Sequence, residues 1–297
     1  MQAQGKGESA SDADTLPDSG LVPLDLVDEV FIGTSGFKYN SWKSTFYPEY
    51  DVNEHAYYAK HFGALELNNT FYGPPKPYVI NSWFNRWAAR RGALVVKAER
   101  LFTHGKALNI DGEFRQAWEA RKALYLGLGP CLGAILWQFS GGFRATCENL
   151  RRITDLLPLL PPHVDHAFEM RHDSWFDEDA RQDLLKKKKR RTEGPDPLAE
   201  RGAVLRAFEH CPHANLVQGK RFRYVRFHGS KGKYKGLYGK KDMQDWATTI
   251  RKWAEAGQKV YAFFNNTDPP YEETLPSAVL DAFYLAEALR DMQKPTA

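Results

Sequence analysis

Six short apolar runs in this 297-residue chain finish in side chains able to bind a ligand or move a proton. In ALELNNTFY (64–72), Glu66 and Asn68 stand two apart among leucines, where a carboxylate is costly unless it is paired or used. Lys97 and Glu99 repeat the arrangement in ALVVKAE (93–99), and Gln138 comes near the end of GAILWQFS (133–140). Glu169 and Arg171 lie in DHAFEMRH (165–172), Arg226 and His228 in FRYVRFHG (222–229), and Asn265 beside Asn266 in KVYAFFNNT (259–267). Residues two apart share one face of a strand, so each pair is aimed together. Collected in one place, these groups suit acid–base work on an anion. Glu66 or Glu169 would be the general base and His228 or His104 the proton donor. Lys97, Arg171 and Arg226 would hold a phosphate or carboxylate, because a guanidinium offers a fixed two-pronged fork. Asn68, Gln138, Asn265 and His172 would orient it. The competing account is an ion-pair network that is only structural.

The adjacent cations argue against a divalent metal site, and no His-Glu-x-x-His spacing occurs. HCPH (210–213) lacks an evident fourth ligand. Neither a metal nor another cofactor is therefore expected. Cys131, Cys147 and Cys211 are too few and too widely spaced for a disulfide framework, and are expected as reduced thiols.

The elements that would position these groups alternate in type. VFIGTSG (30–36) and GAVLRAFEH (202–210) bring the β-type runs to eight, and helical patterns such as NEHAYYAKHFG, FRQAWEARKALYLG, CENLRRITDLLPLL, DEDARQDLLKK and MQDWATTIRKWAEAG separate them. Strand–helix alternation predicts a parallel sheet covered by helices. Eight units in this length predict an α/β fold, a single-domain (β/α)8 TIM barrel over 30–292, whose strand C-termini converge on one mouth. The aromatic stretch GFKYNSWKSTFYPEY (36–50) is either a wall of that mouth or a loop packed on its own rings.

Residues 1–29, acidic and poor in aromatics, read as a disordered leader. KKKKRR (186–191) opens a loop insertion over 186–200, and without those six residues acidic side chains outnumber basic ones. The net charge of +4 is thus local. No apolar run is long enough for a membrane span and no secretory signal is present, which predicts a cytoplasmic protein, with nuclear import through the basic run as the alternative.

With these residues in view, the chain resembles the YecE-like family, domain of unknown function 72, from about residue 31 to 290. The likeness is carried by GTSGFKYNSW, ELNNTFY, VKAERLFTH, GPCLGAILWQF, FEMRHDSW, YVRFHG and FFNNT, in that order. It implies a TIM barrel and recurrent polar positions at Glu66, Asn68, Lys97, His104, Gln138, Glu169, Arg171, His172, Arg226, His228 and Asn265. It implies no activity. Phe37 stands where the family usually has Trp, FSGGF (139–143) replaces a proline-containing turn, and Glu209 takes the place of a frequent aspartate. Residues and resemblance together predict a metal-independent hydrolase or lyase acting on an anionic substrate. The alternative is a phosphate- or nucleic-acid-binding protein without chemistry, aided by 186–191.

Overall fold

The computed structural model describes residues 29–43, 45–48, 52–177, 221–231, 234–267 and 275–292, and the backbone of 202–206. The acidic leader up to residue 28, the basic run, DEDARQDLLKK beyond Asp177, Glu209 and the HCPH group lie outside these residues.

All eight β-type runs contain strands: β1 (Val30–Ser35), β2 (Ala64–Leu67), β3 (Leu94–Lys97), β4 (Leu132–Gln138), β5 (Asp165–Met170), β6 (Gly202–Arg206), β7 (Phe222–Phe227) and β8 (Lys259–Phe264). They form one sheet in the order β6-β5-β4-β3-β2-β1-β8-β7, and every paired neighbour is parallel. Its two ends, β6 and β7, lie side by side, and no ladder joins them among the described residues. The result is an α/β fold built on a nearly closed parallel barrel.

The described helices are α1 (Glu54–His61), α2 (Pro77–Trp87), α3 (Gly112–Leu126), α4 (Cys147–Leu156), α5 (Gly239–Glu255) and α6 (Ser277–Asp291). Several start where a short polar side chain accepts an otherwise unpaired N–H. Asn53 accepts from Ala56, Asp111 from Phe114 and Thr146 from Asn149. None of the described helices is long and apolar enough to cross a membrane.

Two apolar layers hold the barrel. The outer one packs helices on the sheet around buried Trp42, Trp87, Trp118 and Trp137. The inner one sets small Ala64, Ala134 and Ala167 from β2, β4 and β5 against Phe222, Tyr224, Tyr261 and Phe263 from β7 and β8, so ring volume on one wall fills the space left by the other. Gly33 lets β1 and β2 close up: a Cβ there would lie 2.0 Å from the Ala64 carbonyl oxygen. Next to it the Tyr58 hydroxyl of α1 accepts the Thr34 N–H at 2.8 Å and donates to the Ala64 carbonyl at 3.0 Å.

Two strands are shorter than the sequence pattern suggests. β2 stops at Leu67, and Asn68–Phe71 form a 3-10 turn. Thr70 fixes that turn, its hydroxyl lying 2.7 Å from the carbonyl oxygens of both Leu67 and Lys97. β3 stops at Lys97. Glu99 then turns to the helical layer, where Arg121 of α3 donates to it at 2.6 Å, so it does not share the inward face of Lys97.

Candidate functional site

The inward positions of the strands change character along the barrel. On β7 the order is Phe222, Tyr224, Arg226; on β8 Tyr261 and Phe263 precede Asn265; on β5 Ala167 precedes Glu169. The register pairs Ser35 with Glu66 across β1 and β2, and Gln138 with Glu169 across β4 and β5, so the polar residues form one level at the strand C-termini.

Arg226 is the hub of that level. Its Nε donates to Glu66 Oε2 at 3.1 Å and its Nη2 to Glu66 Oε1 at 2.8 Å, a two-pronged pair. The same Nη2 reaches Ser35 Oγ at 2.9 Å, and Nη1 donates to Glu169 Oε2 at 2.6 Å. Glu66 also accepts from the Ser35 hydroxyl and from Tyr224 at 2.6 Å. Glu169 accepts from Gln138 at 2.6 Å and Arg171 Nε at 3.1 Å. All three charged groups are buried, and together they repay desolvation that none could meet alone. Burial raises the Glu169 carboxyl, but Arg226, then Arg171, outweigh it and hold it below the usual carboxylate range. This explains the glutamate of ELNNTFY: it neutralises an arginine from the far side of the barrel.

Above this floor opens a cavity of about 500 Å³. Lys97, Asn68, Gln138, Arg171, Arg226 and Asn265 line it, with Phe37, Tyr39, Tyr72 and Tyr234 on its walls. Six of the residues expected at a site from sequence thus meet on one cavity, and Glu66 and Glu169 lie beneath it bonded to Arg226. The stretch 36–50 divides in two. Phe37 and Tyr39 are wall, whereas Trp42, Phe46 and Tyr47 are buried against one another.

Lys97 differs from the other cations. It is 9% exposed, and its ammonium makes no hydrogen bond or ion pair among the described residues. Its Nζ lies over the Phe71 ring at 4.1 Å. Burial first, then Arg226, bring its pKa down to about 8, against the pull of Glu169 and Glu66. Arg171 engages a carboxylate only through Nε, which leaves its terminal nitrogens to the cavity. The side-chain oxygen of Asn68 is buried without a partner while its amide donates to Ser35 at 3.2 Å.

The histidines part company. His228 is held near a pKa of about 4 by burial and then by Arg226, and its Nδ1 lies 3.2 Å from Asn265 Nδ2. A neutral ring accepting there carries its proton on Nε2. His104 sits on a π-helical turn (Leu101–Gly105), edge-on to Phe71 with ring centres 5.1 Å apart; burial and Lys97 lower its pKa. Burial and the nearby cations thus favour the neutral form of both rings. His172 instead caps the short turn 173–175, its Nδ1 accepting the Ser174 N–H at 3.1 Å, and it is not among the cavity-lining residues. Asn266 points the other way from Asn265, donating to Asp281 of α6 at 2.7 Å.

Sequence reasoning passed over Ser35, Tyr224, Tyr72 and Tyr234. The two-residue step that picks Arg226 also picks Tyr224, and Ser35 closes β1 as Glu66 nears the end of β2, so alternation could have found both. Tyr72 (77% exposed) and Tyr234 (44% exposed) come from turns, where no period marks them. Among the described residues no group of three or more His, Cys, Asp or Glu is placed to hold a metal ion.

Fold and site together define a parallel α/β barrel with a cation-bearing polar cup at the strand C-termini. The chain belongs to the family described as "Protein of unknown function DUF72", whose sequence profile matches residues 31–297. Among solved structures, a DUF72 family protein from Enterococcus faecalis is similar over 88% of this chain and 95% of its own, with 18% identity and a TM-score of 0.66. Another, from Thermotoga maritima, is similar over 88% and 99%, with 21% identity and a TM-score of 0.64. These identities speak for the fold alone. No curated protein matches the chain significantly.

Proposed function

We propose that the cup binds a small or medium anionic molecule bearing a phosphate or carboxylate, and acts on it as a metal-independent hydrolase or lyase. One observation carries this reading. The Lys97 ammonium lies at the cavity with no carboxylate bonded to it, beside Arg171, whose pair with Glu169 uses Nε alone, and a buried cation without an anion is a standing cost that an anionic ligand removes. Asn68, Gln138 and Asn265 would orient the ligand. Glu66 and Glu169 would act through Arg226 rather than as free bases, since every oxygen they carry already accepts from a neighbour. Among the described residues, their engagement leaves neither cup glutamate with an unbonded oxygen. His104 or His228, its ring favoured in the neutral form, would offer its ring N–H to the ligand as the proton donor.

The same proposal reads the chain as one (β/α)8 domain over 30–292, supported by the eight parallel strands and the adjacency of β6 and β7.

Calorimetric titration of inorganic phosphate into the wild type, Lys97→Met and Arg171→Met tests the anion site. Saturable binding is expected in the wild type, weaker by about tenfold or more in each variant, as for loss of a charge-assisted hydrogen bond. Equal affinity in all three proteins would remove the cup as the binding site.

A further inference from the structure

The site of Lys97 suits a reaction as well as an anion. A lysine amine is a nucleophile only when deprotonated, and it becomes one where desolvation or a neighbouring cation disfavours the ammonium. Lys97 meets both conditions: it is buried, and Arg226 and Arg171 lie among the groups that act on it. The carboxylates that could have captured it, Glu66 and Glu169, are bonded to Arg226, and its close contact is the apolar face of Phe71. Arg171 and Asn68 line the same cavity. The first presents a fork for a carboxylate, the second a side-chain amide for a hydroxyl.

We propose that Lys97 forms an imine with the carbonyl carbon of a 2-oxo acid whose carboxylate is held by Arg171, making the cup a Schiff-base lyase site. This rests on the anion-binding reading above and selects the lyase from its two reaction classes. The neutral amine adds to the carbonyl carbon. A C–N bond forms, the π pair of the carbonyl moves to its oxygen, and a proton passes from nitrogen to that oxygen. The resulting hydroxyl leaves with the second N–H proton as water, and C=N remains. Nothing is oxidised or reduced. Once protonated, the imine draws electrons from a bond on the adjoining carbon, which is what a lyase of this class uses. A pKa of about 8 leaves roughly a tenth of Lys97 as free amine at neutral pH, enough for addition.

The full-length protein incubated with pyruvate and sodium cyanoborohydride provides the test, since hydride reduces an imine to a stable secondary amine. One carboxyethyl group per chain is expected, mapped to Lys97, absent from Lys97→Met and Lys97→Arg, and formed at least tenfold more slowly in Arg171→Met. Acetone, a carbonyl compound without a carboxylate, should label at least tenfold more slowly than pyruvate. Circular dichroism checks that each variant is folded, and the two Lys97 variants guard against one failing to fold. Labelling spread over surface lysines and unchanged by Lys97→Met overturns the proposal. So does an unlabelled Lys97 in a protein that binds phosphate or pyruvate, which leaves the anion site standing. Failure to bind either anion removes both readings.

Discussion

Arg226 carries the electrostatics of the barrel mouth through four hydrogen bonds to three side chains, Glu66, Ser35 and Glu169; a separate bond from Arg171 completes Glu169. Replacing it by Met would leave Glu66 buried without a cation and Glu169 with Arg171 alone. Breaking a buried pair in this way costs about 3–5 kcal/mol, so Arg226→Met should lose that much in urea-induced unfolding. Glu169→Gln should also destabilise the fold, because its amide nitrogen would meet either Arg226, or Gln138 and Arg171, where an acceptor oxygen now stands. If Arg226→Met kept wild-type stability, the floor of the cup would not be the paired network described above.

The turn after β2 shows how an element delivers a residue that its own strand does not hold. Asn68 reaches Ser35 and Phe71 covers Lys97 because Thr70 ties the turn to the ends of β2 and β3. Thr70→Val keeps the shape and removes the hydroxyl, leaving buried carbonyl groups short of a donor. The expected cost is about 1–3 kcal/mol, together with weaker phosphate binding, since Asn68 and Phe71 lose their anchor. Chemical denaturation and calorimetry on one variant read both effects; lost binding without lost stability would show that Thr70 does not fix the turn.

Across the whole molecule, the Glu169–Arg226 pair joins β5 to β7 over β6, spanning the place where the ladder is open among the described residues. The fold should therefore weaken in acid. Glu169 has a depressed pKa in the folded state, so its stabilisation is full above the ordinary glutamate value of about 4.3 and is lost as pH falls through the lower folded value. His228, lowered to about 4 from 6.5, acts in the same direction: the unfolded chain takes up its proton first, and stability falls between those two values. Asp281, raised to about 6 by burial despite N–H groups from Gly239, Tyr238 and Asn266, opposes them as pH drops. Stability measured from pH 7 to 4 should fall less steeply in His228→Asn than in the wild type. Identical slopes would mean that His228 titrates normally in the folded protein.

Sequence by itself determined the strands, most of the described helices and the polar level of the cup, because alternation needs only one strand at a time and the apolar-to-polar change repeats on each. It also marked Glu66, Lys97, Glu169 and Arg226 as members of one polar pocket. It did not settle the division of labour among them. Which carboxylate meets which cation depends on strands far apart in the chain closing into a ring, and only closure puts Arg226 between Glu66 and Glu169 while leaving Lys97 without an anion. The turns, too, were decided in three dimensions: Asn68 came to the cup through a 3-10 turn, Glu99 left it for Arg121, and His172 was taken up by a local cap. Periodicity ends where a strand ends, and past that point the direction of a side chain is set by what it packs against.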